Sequence, residues 1–171
     1  MGRMIRGQTG IAERVKRCRR NCTKKRLPVF LGEDAFIVKH AGGKGLGVFA
    51  VRPISKGSWL LRYKGTLLTA REARSVSSDH DRRGIVMGYQ FFFRHADKSM
   101  CIDATDSQHI SKRMNHSRLH PNAQPRLLTG TQKQPIIAFM ATEDIQEGKE
   151  ILFDYGERNA RVIEANPWLR E

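Results

Sequence analysis

The sequence has no apolar run of the roughly 18 to 20 residues that crossing a bilayer requires, and its N-terminus carries no apolar stretch of the kind that opens a secretory signal. Both absences point to a soluble, intracellular protein without a membrane partner. Cysteine is scarce: Cys18, Cys22 and Cys101 are too few and too scattered for a disulfide framework, which suits a reducing compartment. Cys18 and Cys22 fall one helical turn apart, but no second Cys or His pair lies near them, so they make a poor zinc site and no metal is expected. Acid is also short, with 17 Asp and Glu against 31 Lys and Arg and a formal charge of +14. The shortage is sharpest in residues 1–26, where Arg3, Arg6, Arg14, Lys16, Arg17, Arg19, Arg20, Lys24, Lys25 and Arg26 face Glu13 alone. Such a block is either a solvated helix or an arm that binds a polyanion such as DNA. No aromatic residue interrupts it, so stacking on single-stranded bases is not indicated.

What is present, 171 residues at 39% hydrophobic composition, is enough for one domain and leaves no room for a second full-sized core. The expected division is a basic arm or helix over 1–30 and a compact domain over 31–171. Residues 10–26 could form a cationic helix with Ile11, Val15 and Cys18 or Cys22 as a thin apolar stripe, ended by Leu27-Pro28. Short strands are expected at Phe36–Lys39, Val48–Val51, Trp59–Tyr63, Tyr89–Phe93, Ser99–Ile102, Ile136–Ala141 and Glu150–Phe153. They are punctuated by Gly42-Gly43, Lys56-Gly57, Ala96-Asp97-Lys98 and Glu147-Gly148. Thr69–Asp81 reads as a helix with Thr69 as N-cap and Glu72 at capping-box spacing. Ser107–Met114 reads as a helical turn and Glu157–Ala165 as a terminal helix stopped by Asn166-Pro167, while Leu119–Gln134 reads as a loop. The class is mostly β with short helices.

Four segments carry chemistry. In Gly42-Gly43-Lys44-Gly45-Leu46-Gly47 the glycines permit close approach of backbone to a ligand, but Walker spacing is absent and a strand follows. Arg113-Met114-Asn115-His116-Ser117 holds side chains found in hydrolytic sites, yet a Ser adjacent to its own His cannot form a triad with it, and no nucleophile elbow is present. Glu150-Ile151-Leu152-Phe153-Asp154-Tyr155-Gly156 is a strand ending in an acid, an aromatic and a glycine. Tyr89-Gln90-Phe91-Phe92-Phe93 places aromatics on both faces of one strand, as core packing would, with a polar handle at Tyr89. Singly, each has an ordinary structural explanation.

Together, in this order and at these separations, they resemble the SET-domain protein lysine methyltransferases. Gly45-Leu46-Gly47, Asn115-His116-Ser117, Glu150 to Gly156 and Tyr89 correspond to that family's motifs. Lys44-Gly45, Cys101-Ile102-Asp103-Ala104-Thr105 and Ile163-Glu164-Ala165-Asn166-Pro167-Trp168-Leu169 look like the branch that monomethylates the histone H4 tail. The resemblance covers about residues 33–171 and excludes the arm.

The resemblance implies small curved sheets, a pseudoknot and a C-terminal helix. It implies methyl transfer from S-adenosyl-L-methionine to a lysine, without a metal. Tyr155 and Tyr89 would be the catalytic pair. Lys44, Gly45, Leu46, Tyr89, Asn115, His116 and Trp168 would hold the cofactor. Cys101 and Asp103, on a strand that pairs with the incoming peptide, would bind substrate together with Phe153 and Glu157. The implied partners are a histone tail or nucleosome, with DNA contact through the arm, for a nuclear, chromatin-associated monomer. A basic tail docking on a basic protein needs either an acidic groove, from Asp103, Asp106 and Glu157, or attraction from nucleosomal DNA.

The sequence departs from the pattern at four places. Phe153 stands where the monomethylating branch has tyrosine, which implies a dimethyl product beside the mono product. Arg62 stands where an acid is usual, Lys112 replaces an arginine, and Met100 replaces an aromatic. The competing readings are a catalytically weak SET-like chromatin-binding module and a nucleic-acid-binding protein with an incidental β domain.

Overall fold

The computed structural model describes residues 27–82, 89–129 and 134–171, with 78–82 as backbone only. The basic arm, its expected helix over 10–26 and the Cys18/Cys22 pair lie outside the described residues, apart from the short stretch 27–30.

Strands Phe36–His40 (β1) and Leu46–Ala50 (β2) pair antiparallel from Phe36↔Ala50 to His40↔Leu46. The link between them is a 3-10 turn, Gly42–Lys44, which closes at Gly45 with φ +75° and ψ −127°, a conformation only glycine adopts without strain. Trp59–Arg62 (β3) and Thr66–Thr69 (β4) follow. The helix Ala70–Arg82 (α1) starts from the capping box expected at Thr69: Glu72 Oε2 accepts the Thr69 N–H at 2.7 Å, and Thr69 Oγ1 accepts the Glu72 N–H at 3.3 Å.

Gln90–His95 (β5) and Lys98–Asp103 (β6) form a hairpin closed by Ala96-Asp97, both at positive φ as a tight two-residue turn requires. Next come Asn115–His116 (β7), Ala123–Thr129 (β8), Pro135–Ala141 (β9) and Leu152–Phe153 (β10), then the helix Ala160–Ala165 (α2) and a 3-10 turn over Pro167–Arg170. The sheets run β1-β2, β3-β9-β8-β10-β7 and β4-β6-β5. Strand β10 inserts between β7 and β8, neighbours in sequence, and runs parallel to both. That is the threading expected of the Asn-His-Ser and Asp-Tyr-Gly segments.

Two expectations need correction. Residues 119–134, read as a loop, contain β8, which pairs with β9 from Ala123↔Ala141 to Thr129↔Pro135. Its polar sequence hid it, and Pro125 is tolerated because β10 touches β8 only at Ala123, so no partner on that side needs the missing N–H. The C-terminal helix is also shorter than 157–165, because Asn159 caps Arg161 and opens α2 at Ala160.

The core gathers the apolar residues of all three sheets, with Leu60, Phe93, Ile137, Phe139 and Ile151 fully buried. Phe91 and Phe139 meet edge to face at 6.4 Å and both contact Phe153, at 6.3 and 4.7 Å. Burial of each such ring contributes about 2 to 3 kcal/mol, so the segment ending in Asp-Tyr-Gly is anchored by the core.

Candidate functional site

The pairing Phe153↔His116 brings the Asn-His and Asp-Tyr-Gly segments side by side. Beyond the last pair, the Tyr155 N–H donates to His116 Nδ1 at 3.0 Å, and His116 Nε2 donates to the Leu169 carbonyl at 3.2 Å. One buried imidazole thereby fixes the catalytic candidate on one side and the C-terminal turn on the other. Burial lowers the His116 pKa, and Lys44 adds to that, against the carbonyl contacts and Asp154, which raise it. Neutral His116 with its proton on Nε2 is the form these partners select.

Rings converge on the same place. The Tyr155 centroid lies 5.0 Å from His116, 4.7 Å from Phe153 and 6.4 Å from Trp168, and Trp168 meets His116 at 6.0 Å. The Tyr155 hydroxyl donates to the Met114 carbonyl at 2.9 Å. Burial, followed by the Tyr89 phenol and the Glu150 carboxylate, raises its pKa far above the ordinary tyrosine value. Tyr155 is therefore a neutral phenol at physiological pH.

The glycine turn joins from the third side. Lys44 Nζ donates to the His116 carbonyl at 2.9 Å. Asn115 Nδ2 donates to the Leu46 carbonyl at 3.2 Å and to Glu150 Oε1 at 2.7 Å. A methyl group on Gly47 would lie 2.2 Å from that same Glu150 oxygen and 2.9 Å from Ala41 Cβ, so the bare backbone makes room for the carboxylate. At Gly42, Gly43 and Gly45 an added methyl would meet nothing within 4 Å.

Tyr89 is held at both ends: its carbonyl accepts from the Tyr63 hydroxyl at 2.8 Å and the Ala104 N–H at 3.0 Å, and its hydroxyl accepts from Arg113 Nη1 at 3.0 Å. The structure thus brings together Lys44, Gly45, Leu46, Tyr89, Asn115, His116, Phe153, Tyr155 and Trp168.

The expected peptide-binding strand is different. Cys101 and Asp103 lie on β6, the central strand of its sheet, where Cys101 pairs with Leu68 and Phe92, and Asp103 with Thr66 and Gln90. No edge is left there for an incoming strand, which corrects the expectation that they bind substrate by strand pairing. Cys101 is fully buried, and burial first, then the Asp103 charge, pushes its thiol up to about 12. Asp103 Oδ2 accepts from Gln90 Nε2 at 2.8 Å, and Oδ1 from the N–H and hydroxyl of Thr105 at 2.9 and 2.6 Å. Glu157 is 3% exposed, and its Oε1 accepts from the N–H groups of Arg158 and Asn159. With Asp103 and Glu157 turned inward, the acidic groove expected from them and Asp106 does not form.

Three substituted positions also find partners. Arg62 lies 4.6 Å over the Phe30 ring, Lys112 Nζ lies 5.1 Å over the Tyr89 ring and donates to the Thr105 carbonyl, and Met100 packs half-buried against the core. Sequence reasoning missed Glu150, Arg113 and Asn122. Asn122 Nδ2 donates to the Glu150 carbonyl at 2.7 Å, and its Oδ1 accepts the Leu152 N–H at 2.9 Å, so a side chain seats β10. Glu150 and Arg113 stood inside motifs already singled out; Asn122, in a polar stretch, carried no signal.

A family profile described as SET domain matches residues 45–156. The chain is 37% identical over 139 residues to N-lysine methyltransferase KMT5A-A of Danio rerio, covering 81% of this chain and 40% of that protein. It is 33% identical over 127 residues to histone-lysine N-methyltransferase set-1 of Caenorhabditis elegans, covering 74% and 52%. The chain thus spans about half the length, or less, of these curated relatives. Among solved structures it is similar to CpSET8 from Cryptosporidium, with a TM-score of 0.64 and 34% identity over 72% of this chain and 58% of that one. The matched span runs from the glycine turn to the end of the Asp-Tyr-Gly segment, the same stretch whose threading builds the site, and the chain belongs to the SET-domain family.

Proposed function

We propose that this chain transfers a methyl group from S-adenosyl-L-methionine to a lysine side chain of a protein, with the histone H4 tail in chromatin as substrate and mono- and dimethyl-lysine as products. The observation that carries this reading is the convergence of the glycine turn, Asn115-His116, Tyr155 and Trp168 on one place. The relatives' names and the resemblance to the H4-tail branch support the substrate class. A nuclear, chromatin-associated monomer with DNA contact through the arm is part of the same proposal.

The residues present fit such a donor. The open backbone at Gly42–Gly45 admits a close ligand, the Leu46 carbonyl and Glu150 carboxylate suit the cationic amino-acid end, and Trp168 offers an aromatic face. Bound there, S-adenosyl-L-methionine supplies an electrophilic methyl on a sulfonium. Lys44 and Asn115 hold the turn against β7, and His116 holds Tyr155 and the Leu169 segment in register. Tyr155 commits its proton to Met114, so its oxygen lone pairs remain to receive N–H from an incoming amine and orient it. A phenol whose pKa is raised cannot serve as a strong base, so the lysine arrives neutral, its proton already lost to solvent. Loss of that proton is favoured near a fixed cation and away from water.

The test is radiolabelled methyl transfer on nucleosomes and free histones. Wild type should label the H4 tail and Tyr155→Phe should fall by about 100-fold or more, while both proteins keep the rise in Tm that the cofactor confers. Label from neither protein would leave a SET-like binding module as the better reading.

A further inference from the structure

Both phenols of the site are held by consecutive residues of one 3-10 turn, Ile110–Arg113 with Met114 as its cap. Their hydrogen bonds have opposite polarity. Tyr155 donates its proton to the Met114 carbonyl, whereas Tyr89 receives one from the Arg113 guanidinium. The turn is itself fixed by a cap: the His109 side chain accepts the Ser111 N–H at 3.2 Å, and its other ring nitrogen faces Glu33 Oε1 at 3.0 Å.

Arg113 is half-buried, with Cζ 5.7 Å from the Tyr89 centroid, and Lys112 Nζ lies 5.1 Å from the same ring. Among the described residues the ion pairs are Arg52–Asp34, His109–Glu33 and Arg158–Asp154, and no described carboxylate pairs with Arg113. With no described carboxylate beside it, the guanidinium directs its charge and its N–H at the Tyr89 hydroxyl.

We infer that Arg113 is a positioning residue that fixes the Tyr89 hydroxyl and places a standing positive charge on the wall of the lysine channel, where it disfavours the ammonium form of the substrate. The inference rests on the methyltransferase reading and specifies how this chain prepares its nucleophile. The balance is simple: the ammonium proton leaves to solvent before transfer, the freed lone pair forms the N–C bond, and the S–C electron pair returns to sulfur. Arg113 neither takes nor gives a proton.

The size follows from Coulomb's law. An amine within hydrogen-bond reach of Tyr89 would lie about 6 Å from the guanidinium, and through an effective dielectric of about 20, discounted for solvent, one charge moves a pKa by about one unit. The bound lysine governs the acidic limb of kcat against pH, measured at saturating peptide and cofactor.

The experiment compares wild type, Arg113→Gln, which keeps an N–H donor for Tyr89 without the charge, and Arg113→Lys, which keeps the charge. The expected result is an acidic limb displaced upward by about one pH unit in Arg113→Gln and unmoved in Arg113→Lys. The cofactor-induced rise in Tm should be retained in both, showing that each is folded. A uniform drop in kcat with the limb in place would make Arg113 merely structural and overturn the inference while leaving the methyltransferase reading intact. If Arg113→Gln fails to fold, a limb displaced in Arg113→Lys would overturn it, and an unmoved one would support it. Absence of transfer by wild type overturns both.

Discussion

The backbone N–H of Tyr155 donates to Nδ1 of His116 at 3.0 Å, and this bond exists only while that nitrogen is unprotonated. Burial, the largest cause, lowers the pKa of His116 and likewise that of His109, whose Nδ1 accepts the Ser111 N–H. With folded values below the unfolded value of about 6.5, the unfolded chain takes up protons first as the solution is acidified. The stabilisation is complete above about pH 6.5 and is lost as pH falls through the folded values. Urea midpoints at pH 7.5 and 5.5 should therefore fall on acidification. His116→Asn, whose amide can accept from Tyr155 and donate to Leu169, should reduce the fall; an unchanged slope would remove His116 from the account.

Gly45, which closes the first turn, and Gly47, in β2, should respond differently to the same methyl group. At Gly47 the added carbon would sit against Glu150 Oε1 and Ala41 Cβ, so Gly47→Ala must move the carboxylate from Asn115. Its expected effect is on ligand binding, about a tenfold weaker Kd for the cofactor by calorimetry, roughly the worth of one charge-assisted hydrogen bond. At Gly45 there is open space but φ is +75°, so Gly45→Ala should cost about 1 to 2 kcal/mol of stability. A reversal of the two phenotypes would show that the carboxylate's place under Gly47 does not matter.

What was legible in the sequence was whatever repeats or has fixed spacing. The apolar runs at Trp59–Arg62 and Pro135–Ala141, the box Thr69/Glu72 and the turn at Ala96-Asp97 are local signals with local causes. The site motifs were legible only as a set, because Asn115 meets Leu46 and Tyr155 meets His116 through a threading that no single segment encodes. Strand β7 spans two residues, too few for any period, and β8 is half-exposed along its length with Pro125 inside it, whereas β10 falls within the strand expected at Glu150–Phe153. The inward turn of Asp103 and Glu157 was not legible either. Charge alone suggested a surface groove, whereas Gln90 and Thr105 satisfy Asp103, and the N–H groups of Arg158 and Asn159 hold one oxygen of Glu157, whose Oε2 is buried without a hydrogen-bond partner among the described residues.

The seat of β10 depends on Asn122, whose side chain serves two backbone groups, the Glu150 carbonyl and the Leu152 N–H. Asn122 is 8% exposed, so water cannot readily replace it. Asn122→Ala should cost about 2 to 4 kcal/mol in urea unfolding, two buried groups each losing a partner. Asn122→Asp retains the acceptor for Leu152 and should still lose the Glu150 contact. If the alanine variant were as stable as wild type, β10 would be held by its parallel pairings alone.

Phe153 is 4% exposed, 4.7 Å from both Phe139 and Tyr155, and has no hydroxyl of its own. Adding one in Phe153→Tyr places a polar group among rings, at a cost of about 1 to 3 kcal/mol unless it finds a partner. It also takes up room beside Tyr155, where a methylated amine would have to turn for a second transfer. The expected outcome is a wild type that carries a peptide to the dimethyl stage at long times and a Phe153→Tyr variant that stops at one methyl, read by intact mass of the product. The first transfer should change little, because Tyr155, its Met114 carbonyl and His116 are untouched. A wild type that stops at one methyl would mean that the aromatic wall, rather than the missing hydroxyl, limits the channel.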